Sequence, residues 1–378
     1  MFTLDYIMEL IDKKKEPYRE IIKRKLTKKS CICLFPAGVG SSYIQDYIKD
    51  NLGLDGIKID YISDNDENKL VGELYGLRCK TVEELWDKWG KNITFLIESA
   101  YYKEIKSGLE KRGFDDIQQI FCNKSEGAFF LESNKESIRS MMTRLLEVLE
   151  DRESEEVVKT IISSWALEDV PNDYLDRIKK NDIYFDREIW GTMSTDECFV
   201  DCGAYIGDTT QKLLRRTPDF KGTIYQFEVD PIVYKKLYRN MEKYKSNIDI
   251  VSFPYGVSDK QIGIQIKNGE GNSRILQLQD KKEELKSRVV RLDDILAGKQ
   301  ITFIKMDIEG SEWEALHGAE DIIKSQSPKL AICLYHRPED LFRIPMYLKK
   351  LVPSYKIYVR HYSCLLWDTV CYAVPDSR

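Results

Sequence analysis

FVDCGAYIGDTT, residues 199–210, passes from an apolar strand through two glycines into the start of a helix. Phe199 and Val200 suit a buried strand, Asp201 stands at its end, Gly203 and Gly207 bracket the bend, and Asp208 and Thr209 open the helix. Glycine fits such a bend because a side chain would hold the backbone away from a ligand and resist the tight turn. The spacing is D-x-G-x-x-x-G, not the G-x-G-x-x-G of pyrophosphate binders. Acids on both sides, Asp201 and Asp208, disfavour a phosphate at the helix N-terminus and suit a non-phosphorylated nucleoside with a cationic tail.

The next strand, TIYQFE (223–228), delivers Glu228 to its carboxyl edge, 25 residues beyond Gly203. There an acid accepts from both ribose hydroxyls. Turn and acid together point to S-adenosylmethionine. Further on, ITFIKMD (301–307) ends in Lys305, Met306 and Asp307, with Glu309 in the loop before Gly310. In a doubly wound sheet the carboxyl edge at the switch point is where ligand and reacting atoms meet, so Asp307 and Glu309 face the transferable group. The plainer alternative makes Glu309 a helix cap and Asp307 a brace for the cofactor loop. Two carboxylates this close need a partner, and Lys305 or a bound proton supplies it. His336 ends KLAICLYH (329–336) and His361 lies in KIYVRHY (356–362), bringing two imidazoles to the same edge with Arg337 and Arg360 beside them. His336 joins Asp307 and Glu309 as a candidate base for an acceptor hydroxyl, while His361 is placed toward substrate. Such a set offers too few ligands, from sequence alone, to name a metal, and none is predicted.

Outward from this centre, IDIVSF (248–253) and TVCYAVP (369–375) complete the strands of a C-terminal domain over 191–378. Helical stretches separate its first five strands, and only a short loop separates the last two. A parallel sheet closing with an antiparallel hairpin follows. Between the third and fourth strands, GVSDKQIGIQIKNGEGNSRILQLQD alternates like a hairpin. Residues 126–190 keep helical periodicity with dense charge and read as a connector. Residues 28–125 alternate strand and helix, from CICLF through a Gly38–Gly40 turn into a helix ending at Gly53, as a smaller Rossmann-like α/β unit. Residues 1–27 read as a leading helix.

The succession FVDCGAYIGDTT, IYQFEVDP, PYGVSD, VVRLDDIL, ITFIKMDIEGSEWEALHGAEDII and YHRPEDLFRIPMYL resembles the FkbM-type methyltransferases, a branch of the class I S-adenosylmethionine-dependent enzymes. The likeness covers about residues 190–375, and IKMDIEGSEWEALHGA is its most specific piece. It implies that Asp201, Gly203 and Gly207 shape the cofactor loop, that Glu228 holds the ribose, and that Asp259 lies near the adenine. It also implies that the GEGNSRI insert lies over the site, where Arg274 orients the acceptor. Tyr205 stands where members often have Asn, which puts a side-chain contact from that position in doubt. The first unit resembles the small Rossmann-like domains at the front of sugar-modifying enzymes and of some FkbM-type proteins. Its G-x-G is incomplete, with Ser41–Tyr43 where a last glycine belongs, so packing or partner recognition is favoured over nucleotide binding.

The expected activity is therefore methyl transfer from S-adenosylmethionine to a hydroxyl of a sugar, glycan or polyketide-like small molecule. Competing readings are an NAD-dependent sugar-nucleotide oxidoreductase or epimerase, disfavoured for want of a Tyr-x-x-x-Lys pair after a cofactor fold, and a non-catalytic nucleoside-binding protein. Composition bounds the rest. Across 378 residues the formal charge is −5, which leaves no positive field for nucleic acid. No apolar run reaches membrane-spanning length, and the start lacks an uncharged h-region, so a cytoplasmic protein without membrane insertion is expected. Nine cysteines with no C-x-x-C and three histidines give poor support to structural zinc and favour reduced core thiols. Homo-oligomerisation is left open.

Overall fold

The computed structural model describes residues 2–13, 31–38, 58–99, 101–120, 122–167, 173–267, 274–277 and 287–376, with single residues 20, 23, 26, 41, 44, 48 and 170 between them. Gly40 and most of the helix expected up to Gly53 lie outside the described residues. So does most of the GEGNSRI insert.

The N-terminal sheet contains β1 (Cys31–Leu34), β2 (Tyr61–Ile62), β3 (Glu73–Leu74), β4 (Leu77–Cys79), β5 (Ile93–Ile97) and β6 (Ile117–Gln119), in the order β3-β4-β2-β1-β5-β6. Every pairing is parallel except β3 with β4. All residues of β1 and β5 are buried, as continuous apolar runs in a sheet covered on both faces should be. Helix Val82–Trp89 begins at the capping box that TVEE announces, Thr81 and Glu84 each satisfying the other's backbone N–H.

The C-terminal sheet contains β7 (Cys198–Cys202), β8 (Thr223–Phe227), β9 (Asp249–Phe253), and, beyond a smaller sheet, β14 (Phe303–Met306), β15 (Lys329–Cys333), β16 (Lys356–His361) and β17 (Thr369–Val374). The smaller sheet holds β10 (Gly256–Val257), β11 (Ile262–Lys267), β12 (Arg274–Gln277) and β13 (Ser287–Val290) in the order β10-β13-β11-β12, and β11 and β12 form the expected hairpin. The seven strands run β16-β17-β15-β14-β7-β8-β9, and only β17 is antiparallel to its neighbours. Counted along the domain this order is 3-2-1-4-5-7-6, a parallel sheet with one antiparallel strand near its edge, as the sequence predicts. It reverses direction between β7 and β14, so the switch point falls beside the glycine bend.

The connector is helical over Cys122–Ser133, Ile138–Val148, Arg152–Ala166 and Tyr174–Ile178. It packs on the C-terminal sheet rather than standing apart, and the leading helix, Leu4–Lys13, joins it there. Ile7 and Ile11 share one core with Met142, Val158, Ile161, Phe342, Ile357 and Val359. Arg360, expected at the reacting edge, is instead turned to the connector, where it makes a two-pronged contact with Asp151 at 2.6 and 3.2 Å. Among the described residues no helix is long and apolar enough to cross a membrane.

Candidate active site

From the end of β7 the chain turns through Gly203 (φ +77°), Tyr205 (φ +47°) and Gly207 (φ +87°) into helix Asp208–Arg216. The amides of Gly203 and Ala204 both donate to the Phe227 carbonyl at 3.0 Å, holding the bend against the end of β8. A Cβ on Gly203 would lie 1.9 Å from the Asp307 carbonyl oxygen, and one on Gly207 2.4 Å from Met241 Cε. Both glycines are thus required for space as well as for backbone angle. Tyr205 enters the left-handed region without that freedom, where Asn would sit more easily.

Asp201 is fully buried and pairs with Lys305 Nζ at 3.0 Å across the register that sets β7 against β14. The same ammonium donates to the carbonyls of Cys202 (3.2 Å) and Gly203 (2.7 Å), so it ties the bend to β14. Burial pushes the Asp201 carboxyl up to about 6, with the Lys305 charge pulling the other way. For Lys305, burial is outweighed by the charges of Asp201 and Asp307, and the ammonium is held above its ordinary value. This corrects the electrostatic expectation. Asp201 shapes the bend from beneath and presents no bare charge to a ligand, and Lys305 serves Asp201 first.

The other acids at this edge are Glu228, Asp307 and Glu309. Glu228 accepts from the amides of Tyr205 (3.0 Å) and Asp230 (2.8 Å), which aims its carboxylate at the bend. Its burial pushes it up to about 7, partly offset by those two amides.

Beyond β14, Asp307 receives two phenolic hydrogen bonds, Tyr184 to Oδ2 at 2.7 Å and Tyr335 to Oδ1 at 2.9 Å. Burial would raise its carboxyl, but Lys305, His336 and the two hydroxyls outweigh it and hold the group below its ordinary value. Both phenols, raised by their own burial, remain donors. His336 Nδ1 lies 2.9 Å from Glu312 Oε1, while Nε2 points between Asp307 Oδ1 (3.5 Å) and Glu309 Oε2 (3.7 Å). Burial lowers the ring's pKa, but Glu312, Glu309 and Asp307 together lift it to about 10. At neutral pH the ring is therefore an imidazolium, which corrects its expected role as a free base. Glu309 occupies φ +55°, a strained angle for a non-glycine residue, and this turns its carboxylate back toward His336.

The fold brings Asp201, Gly203, Gly207, Glu228, Asp307, Glu309 and His336 to one edge. It does not bring His361 or Asp259 there. His361 is fully buried, its Nδ1 against Thr369 Oγ1 at 2.9 Å and its pKa lowered by burial to about 4, so it is no substrate contact. Asp259 is exposed and bonded by Ser258, which packs on Gly318, at the far end of helix Glu312–His317 from the site. Arg274 begins β12, and its side chain lies outside the described residues. Sequence reasoning missed Tyr184, Tyr335 and Glu312. Tyr184 comes from the connector, where no motif marks it. Glu312 had a signal, since an acid three residues past Glu309 in IEGSEWE falls one helical turn along.

Over residues 201–355 the chain matches the family profile described as the methyltransferase FkbM domain. It is 27% identical over 150 residues to Methyltransferase 1 of the fungus Beauveria bassiana, a match covering 33% of this chain and 59% of that protein. Its fold superposes on the crystal structure of methyltransferase FkbM from Methylobacillus flagellatus with a TM-score of 0.72 at 21% identity, covering 98% of each chain. Residues 201–355, then, are the part of the chain that is similar to the methyltransferase FkbM domain.

Proposed function

We propose that the protein transfers a methyl group from S-adenosylmethionine to a hydroxyl of a sugar, glycan or polyketide-like acceptor. One observation carries this reading: a glycine bend packed too closely on Asp307 and Met241 for any Cβ, an acid aimed at that bend from the next strand, and an ionised acid at the end of β14 all meet at the switch point. The residues fit the cofactor. Gly203 and Gly207 let the backbone make the tight bend beside which its amino-acid and ribose end would lie, and Glu228 would accept from ribose hydroxyls while Lys305 holds the bend in shape. When bound, S-adenosylmethionine supplies an electrophilic methyl on sulfur.

Asp307 and Glu309 then orient the acceptor hydroxyl and take its proton. The oxygen so deprotonated would be the nucleophile for the methyl group that the donor would supply. Tyr184 and Tyr335 fix both oxygens of Asp307, so the carboxylate does not have to reorganise during the step. His336, held by Glu312, faces both acids and helps to keep Asp307 ionised.

The test is calorimetry with S-adenosylmethionine and, separately, NAD, followed by mass spectrometry of hydroxylated acceptors incubated with isotope-labelled donor. Binding of the first nucleotide alone and a product heavier by one labelled methyl are expected. Tight NAD binding with no response to S-adenosylmethionine overturns the assignment.

A further inference from the structure

Between the leading helix, Leu4–Lys13, and the connector helices Arg152–Ala166 and Tyr174–Ile178 lies a cavity of about 410 Å³, a volume in the range of small-molecule sites. It stands apart from the glycine bend. Helix Arg152–Ala166 packs on β16, an outer strand of the seven-stranded sheet, whereas the bend follows β7 in the sheet's interior. Aromatic rings form one wall: Phe2 stacks on Tyr6 with centroids 5.8 Å apart and meets Tyr174 at 5.3 Å, tilted by 54°. Two polar residues of helix Arg152–Ala166, Glu156 and Thr160, line the same space, and their spacing of four puts them on one face. Glu156 is half-buried, and its carboxylate makes no hydrogen bond or ion pair among the described residues, while the adjacent Glu155 takes Lys159. Thr160 is only 4% exposed, and its hydroxyl likewise has no hydrogen-bond partner among the described residues. The positive charge in the lining is already spent. Arg177 pairs with Asp173 one helical turn back and lays its guanidinium over the Tyr174 ring, 5.6 Å from the centroid.

We infer that this cavity is a separate binding site for a small organic cation, an alkylammonium ion with an aromatic or apolar body. The ammonium group lies against Glu156 and donates to its carboxylate and to the Thr160 hydroxyl. The body lies along Phe2, Tyr6 and Tyr174, whose ring faces also attract positive charge. An anion meets no uncommitted cation among the described residues of the lining, and a neutral ligand leaves Glu156 unpaired. A metal ion is a poor match, because one carboxylate supplies too few ligands and ring faces do not replace water. The inference stands on these side chains alone and does not depend on the methyltransferase reading.

The experiment is calorimetric titration of the full chain with phenethylammonium chloride, with phenethyl alcohol and sodium phenylacetate as uncharged and anionic counterparts at equal ionic strength. One saturable site is expected for the ammonium ion, with affinity about tenfold or more above either counterpart. Glu156→Gln, an isosteric change at a half-buried position, should weaken binding about tenfold. Tyr6→Leu, at a ring 42% exposed, should weaken it about threefold and gives a second reading at a position where folding is not at risk. Glu309→Gln, at the candidate active site, should leave the affinity for the ammonium ion unchanged. No saturable binding to the wild type, equal affinity in Glu156→Gln, or tighter binding of phenylacetate or phenethyl alcohol overturns the inference. So does loss of binding in Glu309→Gln alone, which would place the ion among the acids beyond β14. None of these measurements involves methyl transfer, so failure of the S-adenosylmethionine reading leaves this site standing, and failure here leaves that reading untouched.

Discussion

Glu228 is the single side chain through which burial, backbone and ligand meet. Its carboxyl, raised by burial from about 4.5 to about 7, is protonated more readily in the folded protein than in the unfolded chain. The unliganded protein therefore holds a stabilising contribution that is complete below about pH 4.5 and is lost as the pH rises through about 7. Ribose hydroxyls donate to the ionised form, so cofactor affinity runs the other way. The dissociation constant of S-adenosylmethionine should fall between about pH 6 and pH 8 in the wild type. In Glu228→Gln it should stay flat across that interval and be weaker by about 1.5–3 kcal/mol. A wild-type constant independent of pH there removes the ribose role. Tyr205 offers a second residue-level test. Its φ of +47° strains a bulky side chain, so Tyr205→Asn should stabilise the protein by about 0.5–1 kcal/mol in a denaturant titration. A loss of stability would mean that the exposed ring makes a contact worth more than the strain.

Between elements, the pair that binds β7 to β14 is buried and charged, which makes it sensitive to losing one partner and tolerant of losing both. Lys305→Met leaves Asp201 with no counter-charge and should cost about 3–5 kcal/mol. Asp201→Leu strands the ammonium at similar cost. The double variant should be less destabilised than the sum of the two, with the coupling read from a double-mutant cycle of urea unfolding. Simple additivity would mean that the two groups are stabilised by other partners. Elements of this kind are legible in the amino-acid sequence, because strands buried on both faces read as unbroken apolar runs and each feeds a turn residue with a backbone requirement. FVDCG and IKMDIEG name their strands, their bends and their acids at once. Which partner an acid takes is not legible there. Asp201 and Asp307 both stand at strand ends near Lys305, and only the parallel register Lys305↔Asp201 puts the first of them beneath the sheet edge. His336 and His361 likewise share a position at strand ends, yet one faces two acids and the other is sealed against Thr369, a difference set by strand pairing and not by local spacing.

Across the whole chain, helix Cys122–Ser133 links the two sheets' cores. Its Ala128 packs with Ile32, Leu34 and Leu96 of the N-terminal sheet, and its Leu131 packs with the connector and the C-terminal core. Phe130 stacks on Phe342 with ring centroids 5.4 Å apart. The closeness of this contact depends on Gly127, where a Cβ would stand 2.3 Å from the Trp165 ring. Trp165 is buried in helix Arg152–Ala166, whose Asp151 cap grips Arg360 and whose Ser154 hydroxyl receives the Val359 amide at 2.9 Å. The ring has little room to retreat. Gly127→Ala should therefore push the linking helix outward instead of displacing the tryptophan, at about 1–3 kcal/mol. Because the connector is tied to β16, the strain should appear at the junction with the N-terminal sheet and spare the C-terminal sheet. Limited proteolysis should then cut between residues 120 and 138 faster than in the wild type, while affinity for S-adenosylmethionine changes by less than about twofold, under half a kcal/mol. Unchanged cleavage would mean that Trp165 yields and that the junction does not depend on this glycine. A large loss of cofactor affinity would mean instead that the strain travels through the connector to Tyr184, the one connector side chain that reaches Asp307 among the described residues.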